Sequence, residues 1–166
     1  MTAFKSQDPH LTLAASLDRA LHAVLNSDDG MKTGRTTARQ MWGNGWKEAR
    51  ASVVLAEAVA RWLGRDRVSI QAFWNGDGPQ HAVASIGRYA ISGEGIATVD
   101  DIFKECCRRY GTAPKAARFE PLDAEASGLK FTMGDVVAEQ SIARLTTMLT
   151  TTIDREVALM VLDPGR

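Results

Sequence analysis

The sequence predicts an α+β fold in which an antiparallel β-meander packs against a central buried helix, with helices at both ends of the chain. Three observations carry this. Apolar residues recur at helical spacing over 9–25 and 46–63. The period then switches to two: Val68, Ile70, Ala72 and Trp74 alternate with Ser69, Gln71 and Phe73. The strands that follow are joined by turns too short for a crossover, which forces antiparallel pairing. The order helix, helix, meander, helix, strands, helix excludes a doubly wound parallel sheet. No repeat, low-complexity tract or linker divides the 166 residues, so a single domain over 1–166 is expected.

Each element has a local cause. Asp8 caps the first helix, Pro9 suits its first position, and Leu13, Leu17, Leu21, Val24 and Leu25 form its stripe. The turn residues Asn26 to Gly30 end it. Residues 31–45 are polar and glycine-bearing and read as a loop with one helical turn before Trp42. The second helix runs from Trp46 to Leu63, stopped by Gly64. Its apolar face holds Ala51, Leu55, Ala58, Val59, Trp62 and Leu63, with Lys47, Arg50, Glu57 and Arg61 on the other side. So much of its surface is apolar that it reads as the buried centre.

The dense turn Asn75-Gly76-Asp77-Gly78-Pro79 sends the first strand into a return strand, Gln80 to Ile86. Gly87-Arg88 leads into a third strand, Tyr89 to Ser92, and Gly93-Glu94-Gly95 closes the meander. Thr98 caps a third helix with Asp101 at the capping-box position, and Val99, Ile102, Phe103, Cys106 and Tyr110 form its inner face up to Gly111. Lys115 to Pro121 reads as a further strand. Residues 122–134 are ambiguous, with a strand near Leu129 to Thr132. A fourth helix spans Asp135 to about Leu149 through Ala138, Ile142, Leu145 and Leu149. The segment Ile153 to Leu162 fits a helix through Ile153, Val157 and Val161, while its β-branched content leaves a strand open. Asp163-Pro164-Gly165 stops it.

Composition narrows the function classes. Hydrophobic residues are 45% and charged residues 24%, which excludes a collagen, a disordered tail and a disulfide scaffold. Twenty Lys and Arg balance twenty Asp and Glu, whereas a dedicated nucleic-acid binder carries a basic excess. No stretch has the apolar length of a signal peptide or a bilayer span. The adjacent Cys106 and Cys107 read as reduced thiols, because pairing neighbours strains the intervening peptide. Cys106 lies on the inner stripe. Cys107 lies nearer the edge, beside Lys104 and Arg108. A cytoplasmic protein is expected, with signal-free secretion equally compatible. His10 and His22 have no Cys or carboxylate at metal spacing, so neither a metal nor another cofactor is expected.

Three residues form a candidate catalytic set. Ser52 points where Leu55, Val59 and Leu63 point, His81 follows the Asp-Gly-Pro turn, and Glu94 stands between two glycines after the next strand. A nucleophile on a helix, a histidine on a neighbouring strand and an acid one strand further is a layout that covalent catalysis uses. The stretches SVVLAEAVARWLG and DGPQHAVASIGRYAISGEGI resemble papain-like thiol hydrolases and their bacterial relatives. In that family a nucleophilic Cys opens a helix of the form C-x-x-L-A-x-A-L-x-x-x-L-G. A hairpin then supplies H-x-x-V followed by a tyrosine, an acid and a glycine. The resemblance spans about residues 46–110. It implies that Ser52 stands at the nucleophile position and His81 at the histidine, with Gly87 to Gly95 carrying the orienting acid. This chain has Ser in place of Cys, and no acid at Ile91 or Ser92. A serine hydroxyl ionises far less than a thiol. The resemblance therefore implies a catalytically degenerate or engineered-inactive hydrolase-fold protein with a cleft near Ser52 and His81.

A second, non-enzymatic expectation rests on charge. Between Met31 and Arg50 the chain carries Lys32, Arg35, Arg39, Lys47 and Arg50 against Glu48 alone, with Trp42 and Trp46 interleaved. Such a segment suits an acidic protein partner or nucleic acid. Residues 120–139 carry the opposite excess: Glu120, Asp123, Glu125, Asp135 and Glu139 against Lys130. The two segments are complementary within one chain or between two copies, so a binding module or a homodimer is the alternative reading.

Overall fold

The computed structural model describes residues 9–25, 48–76, 78–93, 95–122 and 136–164. Helix α1 is Pro9–Leu25 and α2 is Glu48–Leu63. Strands β1 (Ser69–Asn75), β2 (Gly78–Ile86), β3 (Tyr89–Ser92) and β4 (Gly95–Thr98) follow, then α3 (Val99–Arg109). A 3₁₀ turn, Pro114–Ala116, leads to β5 (Arg118–Pro121), and α4 (Val136–Thr152) and α5 (Arg155–Leu162) complete the order. The five strands form one antiparallel sheet in the order β4-β3-β2-β1-β5. The fold is the α+β meander that the period switch predicts. It continues one strand further than Gly95, because Ser92 pairs Gly95 across a tight turn and the chain returns along β3.

The pleat sorts side chains onto two faces. Ala82, Ala84, Ile86, Tyr89, Ile91 and Ile96 join α1, α2, α4 and α5 in the larger core. Val83, Ala90 and Phe73 turn the other way, onto α3. The smaller core is aromatic. Phe73 makes edge contacts with Phe103 and Phe119 at 5.7 and 5.9 Å between centroids, and Tyr110 stacks on it at 5.9 Å. α2 packs along β2 and against α4, as its nearly all-round apolar surface requires. That same burial corrects the placement of Glu57 on an outer face. Its side chain is only 5% exposed and is paired with Arg61 and Arg65.

Helix α3 begins where Thr98 Oγ1 accepts the Asp101 amide at 3.1 Å. Asp100 and Asp101 in its first turn and Arg108 and Arg109 in its last suit the helix dipole. Its amphipathic face buries both Cys106 and Cys107, so the edge position expected for Cys107 does not hold. The strand expected over Lys115 to Pro121 is shorter, because Pro114 starts a 3₁₀ turn. The segment after Ile153 is helical. Asp154 caps it by accepting the Val157 amide at 3.1 Å, which resets the helical phase. Ala158, Leu159, Val161 and Leu162 therefore face the core, and Val157 is 40% exposed. The strand expected near Leu129 to Thr132 lies outside the described residues.

Candidate functional site

β2 outruns β3. Across the β2–β3 ladder Ala84 pairs with Ile91, Ser85 with Ala90 and Ile86 with Tyr89, and β3 ends at Ser92. Ile86 and Tyr89 flank the two-residue turn, where Gly87 takes a φ of +57°. They are thus a hydrogen-bonded pair, and the amides of Ala84 and Ala82 face the same side. At Ala82 no β3 residue is paired opposite within the described register, and a side chain takes over. Ser52 Oγ accepts the Ala82 amide at 2.8 Å. Ser52 is 7% exposed, five residues into the described part of α2. One turn on, Leu55 Cδ1 lies 3.6 Å from where a Cβ on Gly93 would be. The hydroxyl thus ties α2 to the middle of β2, and Leu55 lies beside the turn that follows β3.

The arrangement brings the Ser52 hydroxyl against the peptide that links His81 to Ala82. The side chains start from opposite faces. His81 pairs with Phe73 across the ladder and alternates with Ala82, which belongs to the core shared with α2. Phe73 and Val83 belong to the α3 face, and His81 shares their register. His81 is half-buried there. Beside it, a β-bulge shifts the register between Phe73 and Trp74, and Tyr110 Oη donates to the Gln80 carbonyl at 3.2 Å. Asn75 Nδ2 donates to Thr112 Oγ1 at 3.0 Å, and Gln80 Nε2 donates to Asn75 Oδ1 at 3.3 Å. This network ties the His81 strand to the end of α3. Glu94 lies outside the described residues, as do Lys32, Arg35, Arg39, Trp42 and Trp46 of the basic segment.

Two carboxylates that no motif in the sequence marks are buried. Asp18 on α1 is 3% exposed, and its Oδ1 accepts the Ile96 amide on β4 at 2.5 Å. Its spacing carries the signal, four residues after Ala14 and three before Leu21, which are both fully buried. Glu57 is the other. Arg108, which donates through Nε at 3.0 Å to Glu105, holds the Glu105 carboxyl below its ordinary range. Among the described residues, no three His, Cys, Asp or Glu side chains gather as a metal site requires, and no helix is long and apolar enough to cross a membrane.

Set against protein-family models, curated proteins and solved structures, the chain matches none.

Proposed function

We propose that the chain is a catalytically degenerate papain-like scaffold in which the nucleophile position has become a structural tie. The observation that carries this is the Ser52 hydroxyl accepting the Ala82 amide at 2.8 Å in a buried setting. A nucleophilic hydroxyl needs a base to take its proton and an open approach for the acyl carbon. Here a lone pair of Ser52 is committed to the backbone, and His81 belongs to the register of the opposite face. Ligand contact in this reading runs along the half-buried His81 side of the sheet, not through Ser52.

The test is hydrolysis of peptide, amide and ester substrates by the wild type and by Ser52→Ala, with thermal melts of both. The wild type is expected to show no turnover. Ser52→Ala is expected to lower stability by about 1–3 kcal/mol, the cost of a buried amide left without its acceptor. Turnover by the wild type that disappears in a folded Ser52→Ala protein would make Ser52 a nucleophile and overturn the proposal.

A further inference from the structure

The turn between β1 and β2 begins with Asn75-Gly76, and the structure gives no steric reason for glycine at 76. Gly78, which opens β2, has a φ of +100°, and Gly76 is not among the glycines of positive φ. A Cβ built on Gly76 meets nothing within 4 Å. What the missing side chain does leave is an unhindered peptide nitrogen next to an asparagine carboxamide. We propose that Asn75-Gly76 is a self-modification site, a deamidation point gated by the hydrogen bonds that Thr112 and Gln80 make to the Asn75 side chain.

The chemistry balances without a cofactor. The Gly76 nitrogen attacks Asn75 Cγ, the bond from Cγ to Nδ2 breaks, and the Gly76 amide proton leaves with the nitrogen as ammonia. Water then opens the cyclic imide at either carbonyl, giving aspartate or isoaspartate. For the attack, the carboxamide must swing onto its own backbone. In the fold it is held at both atoms: Nδ2 donates to Thr112 Oγ1 at 3.0 Å, and Oδ1 accepts from Gln80 Nε2 at 3.3 Å. Cyclisation therefore waits for this clamp to open.

Conversion also has a readable consequence. Thr112 Oγ1 donates its own proton to the Tyr110 carbonyl at 3.2 Å, so it meets Asn75 as an acceptor. A carboxylate at 75 has no proton to offer it. The Thr112 hydroxyl must then abandon Tyr110, or the tie between the hairpin and the end of α3 is lost. Tyr110 Oη holds the Gln80 carbonyl next to His81, so the change reaches the His81 strand.

The experiment incubates the full-length protein at neutral to mildly alkaline pH and follows Asn75 by peptide mapping and mass spectrometry. Wild type is compared in buffer and in denaturant, alongside Thr112→Val, Gln80→Met and Gly76→Ala. The second Asn-Gly pair, Asn44-Gly45, lies outside the described residues and reports changes not specific to the clamp. Two hydrogen bonds are expected to slow Asn75 in the folded wild type about thirtyfold relative to denaturant (~2 kcal/mol). Thr112→Val should recover about fivefold of this (~1 kcal/mol) with Asn44 unchanged, and Gly76→Ala should suppress reaction at 75. The proposal fails if folded and denatured chains react at 75 at the same rate. It fails equally if folded Thr112→Val or Gln80→Met leaves the Asn75 rate at the wild-type value. Should both variants fail to fold, the wild-type comparison still decides.

Discussion

The carboxylate of Asp18 fills the space that any side chain at position 95 would need. Its Oδ1 accepts the Ile96 amide at 2.5 Å, and a Cβ built on Gly95 would sit nearer to that oxygen than real Cβ contacts come. Gly95 also has a φ of +103°, a conformation that L side chains rarely adopt. β4 is an edge strand, and its outward amide at Ile96 is the kind of donor that invites pairing with another chain. α1 closes that edge with one buried acceptor.

Asp18→Ala should therefore lower stability by about 1–3 kcal/mol, since it orphans a buried amide. Asp18→Asn keeps an oxygen in place and should cost less. Gly95→Ala should cost about 1–3 kcal/mol from the backbone alone, plus the displacement of Asp18. In an Asp18→Ala background the collision is gone, so the two losses should sum to more than the double variant shows. Urea midpoints for the four proteins decide this. Strict additivity would mean that Asp18 and Gly95 do not share that space.

A second relationship joins the last helix to the C-terminal end of α2. Arg155 on α5 donates through Nε to the Trp62 carbonyl and through Nη2 to the Leu63 carbonyl, both at 3.0 Å. These are among the last carbonyls of α2, which have no partner inside the helix. A planar fork reaches both at once, and an ammonium is a single point. Arg155→Lys should thus recover little of what Arg155→Ala loses, about 1–3 kcal/mol for two charged-donor bonds on a partly exposed residue. Thermal melts of the two variants measure it. Full rescue by lysine would show that charge near the helix end matters and the fork does not.

The fold was largely legible because its signals are local. The switch of period at Val68, the turn at Gly87-Arg88 and the cap at Thr98 each act within a few residues, and each appears where the sequence places it. β4 was missed because four residues, Gly95–Thr98, carry too little pattern to separate a strand from a turn. Of the candidate set, the structure places Ser52 and His81 near one peptide and on different faces of the sheet. The Ser52 bond to the Ala82 amide comes from the packing of α2 on β2, and the face on which His81 lies depends on pairing with Phe73; both are relations between elements that local pattern does not carry. Asp18 and Glu57 were passed over for a different reason. A charged residue on a helix is assigned to solvent by default, and only the neighbours at Ala14 and Leu21, or at Val54 and Ala60, show that these positions turn inward.

Glu57 leads to an asymmetric prediction. Its carboxylate is 5% exposed, Arg61 Nε reaches it at 3.4 Å, and Arg65 reaches it from beyond the helix end. The arginine side chains are 23% and 54% exposed. The carboxylate is thus the buried member, and the guanidinium groups keep access to water. Glu57→Met removes the buried charge and fills much the same volume, so the arginines can turn outward, and stability should change little. Removing both cations by Arg61→Ala with Arg65→Ala leaves a buried carboxylate uncompensated. That variant should lose about 3–5 kcal/mol, the range for breaking a buried pair from one side. Adding Glu57→Met to it should restore most of the loss, because the group left stranded is then gone. Urea denaturation at neutral pH of the three variants and the wild type makes the comparison. Equal losses from Glu57→Met and from the double arginine variant would mean that the attraction, not the burial of Glu57, sets the energy of this cluster.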